Sequence, residues 1–325
     1  MPLSAGEIDS FVDSGEAFGF AMLPGESAPG GELEAGRWLA PYAGRVMPAR
    51  CAREDATSYR DAASAAGGNE DDRERYVAAV KKVIGSCAAR GGKTVFSREI
   101  TGRAGDGVTA GKVFEELCRE FPDTFRYIFN LPGEGVWMGA TPEILLSVDL
   151  RSGDFSTMAL AGTRGRSPES GPWDEKNIRE HRYVSDFISS RLREAGVRFA
   201  ESGLQSLPYG DIEHLCRYFK GNLGSLPYSA VLDRINPTPA LCGTPTDAAI
   251  ADINKYEPHD RAFYGGFVAV KSESRFVAYA NLRCLRLRGN EFSVYAGGGI
   301  TALSDPYEEY LETEAKAAPR LRLLR

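Results

Sequence analysis

The chain has 325 residues, a formal net charge of −6 at pH 7 and a pI near 5.4, with no dense block of Lys or Arg. This charge pattern argues against a nucleic-acid partner. The sequence has neither a run of about eighteen apolar residues, which a membrane span needs, nor an N-terminal basic segment followed by an apolar run, so we expect a cytoplasmic protein without a membrane partner.

The six cysteines are scattered and form no CxxC pair or regular spacing. This pattern is typical of reduced thiols in the cytoplasm and unlike a disulfide framework or a zinc site. With only three histidines in the chain, a histidine-based metal site is not expected. The length allows one large domain or two ordinary ones, and the composition does not decide between them.

The first part of the chain, residues 1–71, contains a short apolar run at 18–22 and then a polar passage rich in Ala, Gly and Asp at 53–72. Such a passage is typical of a connection between ordered parts. We therefore expect residues 1–71 to form a short N-terminal segment and linker, either packed on the same globule or partly mobile. Residues 72–325 should form the main domain.

An amphipathic helix is predicted next, because apolar residues recur at helical spacing over 76–87, and it should end at Gly91. The following residues 93–98 alternate as a β-strand, which places Lys93 on the same face as Val95. A lysine at the start of a strand is usually exposed to solvent. An inward-pointing Lys93 is the alternative.

A second amphipathic helix is expected at 113–121, followed by a hairpin of two strands at 125–129 and 136–138. Glu143 then precedes the most hydrophobic strand of the chain, 144–148. A carboxyl group beside apolar walls has its ionised form disfavoured, which is what a general acid needs. Glu143 is therefore either a candidate acid or an ordinary residue at a strand end.

Another strand is predicted at 155–163, and a long helix follows at 174–196. On that helix Glu180 falls on the apolar stripe with Val184 and Phe187, at i, i+4 and i+7. A buried carboxylate needs a cation or a hydrogen-bond donor, because unpaired burial is too costly. The pattern leaves two partners equally open, an arginine or a metal ion.

The remaining pattern is mainly β. A strand is expected at 210–223, a proline-rich loop at 236–245, a short helix at 246–254 and an antiparallel meander within 266–296. The sequence contains no internal repeat, P-loop, GxGxxG or HExxH motif, so the nucleotide-binding and zinc-protease classes have no support.

A glycine run at 297–299 is followed by a strongly capped acidic helix. Asp305 occupies an N-cap position, so the helix is predicted to begin there. On this helix Glu309, Glu312 and Lys316 share one face, at i, i+3 and i+7. Such a face is usually solvated, with an ion pair between Glu312 and Lys316. The alternative is a ligand site, since glycine lets a backbone approach a ligand closely.

A series of motifs in this order resembles the chorismate-utilising enzymes, and among them most closely the isochorismate synthases. The resemblance runs from about residue 72 to residue 322. The motifs are KTVFSR at 93–98, GATPE at 139–143, LAGTRGR at 160–166, REH at 179–181, HL at 214–215, NPTPALCGTP at 236–245, EPHDRAFYGG at 257–266, LRC at 282–284, and YAGGGI with EEYLETEAK within 295–316.

The resemblance implies a single α+β domain over residues 72–325, in which two large, mainly antiparallel β-sheets pack face to face with helices outside. It also implies a magnesium-dependent reaction on chorismate, a small dicarboxylate. The carboxylates of Glu180, Glu309 and Glu312 would bind Mg²⁺, a hard ion that prefers oxygen ligands.

The resemblance also implies the roles of the other site residues. Lys93 would be the general base that activates water, and Glu143 the general acid. The residues near the substrate would be Thr163, His214, Ala240, Leu241, Tyr264, Arg283, Gly297, Gly299 and Lys316, with Arg283, Lys316 and the glycine backbone near the substrate carboxylates.

Three positions indicate which reaction to expect. Family members that add ammonia, such as anthranilate synthase, tend to have glutamine at the position of Lys93, and aminodeoxychorismate synthases typically have lysine where Ala161 stands. Salicylate synthases, which go on to eliminate pyruvate, often have threonine at the position of Ala240. The residues present favour water as the nucleophile and isochorismate as the product. The chain departs from the family at Asn236, where the proline-rich loop often begins with histidine.

The predicted function is therefore isochorismate synthase, for menaquinone biosynthesis or, second, for siderophore biosynthesis, in a monomer or weak homodimer. Water would add at C2 of chorismate with Lys93 as base, while Glu143 protonates the departing 4-hydroxyl. The alternatives are a salicylate synthase and a non-catalytic chorismate-binding regulatory protein. The presence of both Lys93 and Glu143 argues against the non-catalytic alternative.

Overall fold

The computed structural model describes residues 4–15, 17–24, 32–37, 70–167 and 170–325. The passage at 53–72 that was predicted to be a connection lies almost entirely outside these ranges. The helices of the described parts are α1 (Ala5–Ser14), α2 (Glu70–Arg90), α3 (Ala110–Glu120), α4 (Glu175–Glu194), α5 (Tyr228–Ile235), α6 (Thr246–Tyr256) and α7 (Pro306–Arg322). The strands are β1 (Phe18–Met22), β2 (Glu32–Gly36), β3 (Lys93–Arg103), β4 (Phe125–Leu131), β5 (Gly135–Thr141), β6 (Ile144–Asp149), β7 (Asp154–Gly165), β8 (Arg198–Glu201), β9 (Gln205–Tyr209), β10 (Ile212–Asn222), β11 (Gly243–Thr244), β12 (Phe267–Lys271), β13 (Arg275–Ala280), β14 (Cys284–Arg288) and β15 (Glu291–Thr301).

Two large antiparallel sheets contain nearly all of these strands. The seven-stranded sheet has the order β1-β4-β5-β14-β15-β3-β11, and the eight-stranded sheet has the order β2-β12-β13-β6-β7-β10-β8, with β9 paired to β10. The early strands β1 and β2 are edge strands, one in each sheet. The short apolar run at 18–22 is therefore part of the sheet structure.

The two sheets pack face to face through a core rich in aromatic side chains. Phe125 of the seven-stranded sheet stacks on Tyr279 of the eight-stranded sheet, with ring centroids 4.3 Å apart. Trp137 and Tyr295, from neighbouring parts of the first sheet, stack at 5.3 Å in the same core. Such pairs gain energy beyond the burial of their area. The predicted α+β fold with two packed sheets is confirmed.

The helices cover the outer faces of the sheets. Helices α4 and α5 pack their apolar residues on the eight-stranded sheet, while α1, α3 and the end of α7 pack on the seven-stranded sheet. Helix α2 lies against β3, β15 and α7. Within the described parts of the chain, none of these helices has the length and apolar character of a transmembrane span.

Local sequence signals explain where the site-forming helices begin and end. Helix α7 starts directly after Asp305, whose carboxylate accepts hydrogen bonds from the backbone N–H groups of residues 307 and 308. Helix α4 starts after Asp174, which caps it through the N–H of Asn177 at 2.8 Å. These caps satisfy N–H groups that a helix leaves unpaired at its first turn. Helix α2 stops where Gly91 adopts a positive φ of 78°.

The pairing of β3 with β15 decides the layout of the site. In this register Lys93 lies opposite Thr301, and Val95 lies opposite Gly299. Among the described residues, β14 pairs with β15 only as far as Val294. The glycine run of β15 is therefore held by β3 on one edge while its other edge is left open, toward the cavity described below.

Candidate active site

A single cavity of about 610 Å³, counted out to its mouth, brings together most of the predicted site residues. Its walls come from β3, β5, β7, β10 and β15, and from α4 and α7. The lining residues are Lys93, Val95, Thr141, Pro142, Glu143, Leu160, Ala161, Gly162, Thr163, Glu180, His214, Ala240, Tyr264, Leu282, Arg283, Gly297, Gly298, Gly299 and Lys316.

Lys93 points into the cavity and not into solvent. Its side chain is only 1% exposed, and its Nζ donates to Oε1 of Glu180 at 2.9 Å. The expectation of an exposed strand-end lysine is therefore wrong, because β3 is covered on both faces. Of the two partners predicted for Glu180, the arginine is wrong, since its ion pairs among the described residues are with lysines. The metal ion stays a prediction.

Glu143 lies between β5 and β6 and is 2% exposed. Its Oε1 is buried and has no hydrogen-bond partner among the described residues. Burial raises the pKa of Glu143 to about 8, although the cations of Lys93, Arg283 and Lys316 act in the opposite direction. At neutral pH this carboxyl group is therefore mostly protonated and can donate a proton into the cavity.

Three carboxylates gather beside the cavity at the facing sides of α4 and α7. The side chain of Glu309 is 2% exposed and that of Glu312 is 16% exposed, so the interpretation of this part of α7 as a solvated face is wrong. The expected ion pair between Lys316 and Glu312 is present at 2.6 Å. Oε2 of Glu309 is buried and has no hydrogen-bond partner among the described residues.

The ammonium group of Lys176 lies among these carboxylates. Its Nζ is 3.0 Å from Oε1 of Glu309, 3.8 Å from Oε2 of Glu312 and 3.9 Å from Oε2 of Glu180. Burial alone would lower the pKa of Lys176, but the three carboxylates raise it above its ordinary value, and it stays a cation.

The two carboxylates of α7 respond differently to the shared environment. Burial and the nearby charge of Glu312 raise the pKa of Glu309. Burial would do the same to Glu312, but the ammonium groups of Lys316 and Lys176 outweigh it and lower the pKa of Glu312. Two carboxylates in one buried place thus keep their charge only as far as cations balance them.

The glycines of β15 leave the room that these carboxylates occupy. A Cβ placed on Gly299 would come within 1.9 Å of Oε1 of Glu180, and a Cβ on Gly298 within 2.9 Å of Oε2 of Glu309. Real Cβ atoms do not approach other atoms so closely. The backbone here is regular strand, so what the site requires of these glycines is the absence of a side chain.

Arg283 and His214 form a buried pair at the cavity wall. Nη2 of Arg283 is 2.9 Å from Nε2 of His214. Because a guanidinium only donates, Nε2 must be the accepting nitrogen, and Nδ1 then carries the proton and donates to the Gly162 carbonyl at 3.1 Å. Burial, with the charges of Arg283 and Lys316, lowers the pKa of His214 to about 3, so it stays neutral.

Hydrogen bonds and ring stacking also hold Lys316, Tyr264 and Thr163 in the cavity wall. Nζ of Lys316 donates to the carbonyl of Gly297 at 2.9 Å as well as to Glu312. The ring of Tyr264 stacks on Tyr295 with centroids 5.6 Å apart. The Thr163 hydroxyl is 3.1 Å from Nδ1 of His214.

One predicted substrate-binding residue does not reach the cavity. Leu241 is fully buried in the core under α4 and α5, and its carbonyl accepts a hydrogen bond from Arg261 at 2.9 Å. Its neighbour Ala240 does line the cavity. The side chains of these two adjacent residues point in different directions. A sequence motif that contains both therefore does not show which of them lines the cavity.

The donor set is suited to a hard divalent cation. One point, the Nζ of Lys176, lies within 4 Å of an oxygen from each of the three carboxylates. The buried Oε2 of Glu309 has no hydrogen-bond partner within the described ranges. Carboxylate oxygens are what Mg²⁺ prefers. Among the described residues, no three acidic, His or Cys side chains already meet at metal-ligand distance. The residues therefore fit such an ion in type and surround one common point, but their oxygens lie 3.0–3.9 Å from that point, around an ammonium group.

Sequence reasoning overlooked Lys176. The signal was available, since Lys176 and Glu180 are four residues apart and therefore on one face of the predicted helix. It was overlooked because lysines in the first turn of a helix are ordinarily solvated. Only the packing of α4 against α7 shows that this one is surrounded by carboxylates.

Comparison with known proteins gives a family for this arrangement. A family model described as chorismate binding enzyme matches residues 46–325. The chain belongs to the chorismate-binding enzyme family. The predicted relationship is thereby confirmed.

Members of this family that are similar to the chain include named isochorismate synthases. Isochorismate synthase EntC of Escherichia coli K12 is 32% identical over 243 residues, which cover 71% of this chain and 62% of EntC. Isochorismate synthase MenF of Haemophilus influenzae is 30% identical over 242 residues, which cover 71% of this chain and 56% of MenF.

A solved family structure shows the same fold. The structure of MenF, the menaquinone-specific isochorismate synthase from Escherichia coli, matches with a TM-score of 0.70 and 28% identity, and the match covers 78% of this chain and 61% of MenF. The chain thus spans about three fifths of the length of these relatives.

Proposed function

We propose that the protein is an isochorismate synthase, which converts chorismate to isochorismate with Mg²⁺ as cofactor. The observation that carries this proposal is the cavity itself, where a buried lysine and a protonated buried glutamate lie beside three carboxylates. The similarity to EntC and MenF supports the same reaction. The relatives that add water and those that add ammonia share the fold, so the reaction depends on the cavity residues.

The substrate carboxylates are held by cations and by open backbone. Arg283 is aimed by its hydrogen bond to His214, and Lys316 is aimed by the Gly297 carbonyl and Glu312. A guanidinium matches the two oxygens of a carboxylate geometrically. The open edge of β15 supplies backbone groups of Gly297 and Gly299. His214 is in this proposal a positioning residue, because it acts through Arg283.

Lys93 is the proposed base that takes a proton from the water attacking C2 of chorismate. It reaches the cavity from the first position of β3 and is fixed there by Glu180. A lysine that acts as a base must be neutral at the moment of reaction. The carboxylate of Glu180, which contacts the Nζ of Lys93 at 2.9 Å, favours the charged form, so the base needs the positive charges around it to release its proton.

Glu143 is the proposed acid that protonates the departing 4-hydroxyl. Its pKa of about 8 keeps it protonated at neutral pH, and no hydrogen bond from the described residues occupies its Oε1. Together the two groups let a hydroxyl be added and a hydroxyl be lost without strong acid or base in solution. Holding both against one bound ring is a large part of the catalysis.

Glu180, Glu309 and Glu312 are the proposed ligands of Mg²⁺. When bound, the ion would neutralise the ring carboxylate and fix its position. The unpartnered oxygen of Glu309 and the space above Gly298 support this assignment.

Further parts of the proposal concern the cell and the assembly. We place the enzyme in the cytoplasm as a monomer or weak homodimer, with a catalytic domain over 72–325 that takes β1 and β2 as edge strands. Its product would serve menaquinone biosynthesis or, second, siderophore biosynthesis.

The decisive test is the identity of the product. Purified protein with chorismate and Mg²⁺ should form isochorismate, with little pyruvate, and activity should disappear when Mg²⁺ is chelated. Lys93→Gln should lose a factor of about 10²–10⁴ in rate, as expected for loss of a general base, whereas Lys112→Gln, an exposed lysine far from the cavity, should not. Stoichiometric pyruvate would instead indicate a salicylate synthase, and no turnover at all would indicate a non-catalytic protein.

A further inference from the structure

Lys176 occupies an unusual position for a lysine in the first turn of a helix. Its ammonium contacts Glu180, Glu309 and Glu312 together, at 3.0 to 3.9 Å, and no other cation among the described residues is paired with all three. Of these three carboxylates, Lys93 pairs with Glu180 alone and Lys316 with Glu312 alone, as far as the described part of the chain shows.

Counted as formal charges, the cluster is balanced by the protein's own side chains. The three carboxylates of α4 and α7 are matched by the three ammonium groups of Lys93, Lys176 and Lys316. A divalent cation placed on the same oxygens would therefore add charge to a cluster that already has its counter-ions. Two cations this close together in a partly buried place repel each other strongly.

Lys176 is also the cation of the three with the easiest path to solvent. Its side chain is 24% exposed, compared with 12% for Lys316 and 1% for Lys93. It sits on the second residue of α4, and its four-carbon side chain can swing away from the cluster without moving the helix.

We propose that Lys176 is an internal counter-cation that holds the three carboxylates in the metal-free protein and moves out to solvent when Mg²⁺ binds. This inference rests on the proposed Mg²⁺ site. Lys176 thus competes with the metal: it stabilises the metal-free fold and weakens the affinity for Mg²⁺. A bound dicarboxylate adds negative charge beside the cluster, and this favours the additional positive charge of Mg²⁺. Binding of the metal and binding of the substrate should therefore strengthen each other.

The test is Mg²⁺ binding without substrate, measured by titration calorimetry on the full chain. Lys176→Met keeps the length of the side chain and removes its charge, and it should bind MgCl₂ at least about tenfold more tightly than the parent. Arg182→Met is the matched control, since it removes one positive charge from an exposed position of the same helix. It should leave the affinity for Mg²⁺ within about twofold of the parent.

Stability and reactivity give two independent readouts. In EDTA the Lys176→Met protein should melt at a lower temperature than the parent, and addition of Mg²⁺ should raise its melting temperature by more. In the parent, the rate of acetylation of Lys176, followed by peptide mass spectrometry, should increase when Mg²⁺ is added. Acetylation of exposed Lys81 should not change.

The outcomes separate this inference from the proposed metal site. Weaker or unchanged Mg²⁺ binding by Lys176→Met, or an acetylation rate indifferent to Mg²⁺, would overturn the role of Lys176. If Lys176→Met does not fold, Lys176→Arg, which keeps the charge, is compared with the parent. Tighter Mg²⁺ binding by the arginine variant would contradict the competition. Failure of the metal site shows differently, as Mg²⁺ binding by the Glu309→Gln variant equal to that of the parent.

Discussion

The carboxyl group of Glu143 acquires its properties from its surroundings. Burial raises its pKa to about 8, against the influence of three nearby cations, and its Oε1 has no hydrogen-bond partner in the described part of the chain. An acid with a pKa near the working pH is the most effective proton donor that still regenerates readily. The fold therefore keeps a glutamate protonated under conditions where most glutamates are ionised.

The rate should depend on pH through this group. The acid form is lost as pH rises through about 8, so kcat/KM for chorismate should fall on the alkaline side with an apparent pKa near 8. Glu143→Gln should lower the rate by a factor of about 10²–10⁴. The measurement is a pH series of initial rates at saturating Mg²⁺. A rate that stays level to pH 10 would contradict the assignment of Glu143 as the acid.

The stability of the fold should also depend on pH through Glu143. Between the ordinary carboxyl pKa of 4.5 and about 8 the native state holds a proton that the unfolded state gives up, so this group makes the parent less stable as pH rises through that window. Glu143→Gln has no such proton. Its melting temperature relative to the parent should therefore increase from pH 5 to pH 8, and a difference independent of pH would argue against the raised pKa.

For single residues, the sequence predicted which side chains belong to the site better than it predicted their burial and their partners. Glu143 and Lys93 were recognisable by motif, and Glu180 by its place on an apolar stripe. The burial of Lys93 and its pairing with Glu180 were not predictable, because the two residues are far apart in the chain and meet only when α4 packs beside β3. Leu241 was wrongly assigned to the cavity for the same reason, since a motif does not show which way each side chain points.

Among the secondary-structure elements, β15 contributes to the site because three of its consecutive residues have no side chain. Its glycine run lies where the carboxylates of Glu180 and Glu309 need space. It remains a regular strand paired with β3 throughout, so the site gains room without gaining flexibility.

A single methyl group on this strand should disrupt the site. In Gly299→Ala the new Cβ would meet Oε1 of Glu180 at 1.9 Å, so the carboxylate must be displaced from Lys93. We expect the loss of at least about 10² in kcat/KM and weaker Mg²⁺ binding, with little change in far-UV circular dichroism. Gly203→Ala, where no atom lies within 4 Å of the added Cβ, is the control and should behave as the parent. Normal activity of Gly299→Ala would show that Glu180 does not need its present position.

Element types were predictable where the signal is local. The N-cap of α7, the glycine stop of α2 and the hairpin of β4 and β5 all follow from neighbouring residues, and each lies close to its predicted place. The extent of β3 was underestimated, because its second half is defined by pairing with β15 and not by its own alternation. Strand order and register are long-range properties, which a local pattern does not contain.

At the scale of the whole molecule, the cavity depends on how the two sheets are held together. The aromatic core between them contains Phe125, which is fully buried and stacks on Tyr279 of the opposite sheet. The cavity takes its walls from both sheets, so its shape is a consequence of their spacing.

Removal of one of these rings should weaken the whole protein. Phe125→Ala should lower the free energy of unfolding by about 3–5 kcal/mol, the usual cost of deleting a buried aromatic side chain. Urea denaturation followed by tryptophan fluorescence measures this loss. Phe11→Ala provides the comparison, since that ring is 41% exposed and its removal should cost far less. Equal losses in the two variants would mean that the contact between the sheets is not what stabilises the fold.

The pairing of Lys93 with Thr301 joins strands that are far apart in the chain, which affects how the protein folds during synthesis. During synthesis, β3 leaves the ribosome long before its partner β15 exists, and its apolar residues Val95 and Phe96 have no strand to pair with on that edge. Topologies that depend on such distant pairings fold slowly, and unpaired apolar strands are prone to aggregate in the meantime. Yield in a heterologous host should therefore depend on chaperone supply and growth temperature, because β3 cannot pair with β15 until the C-terminal part of the chain has been made.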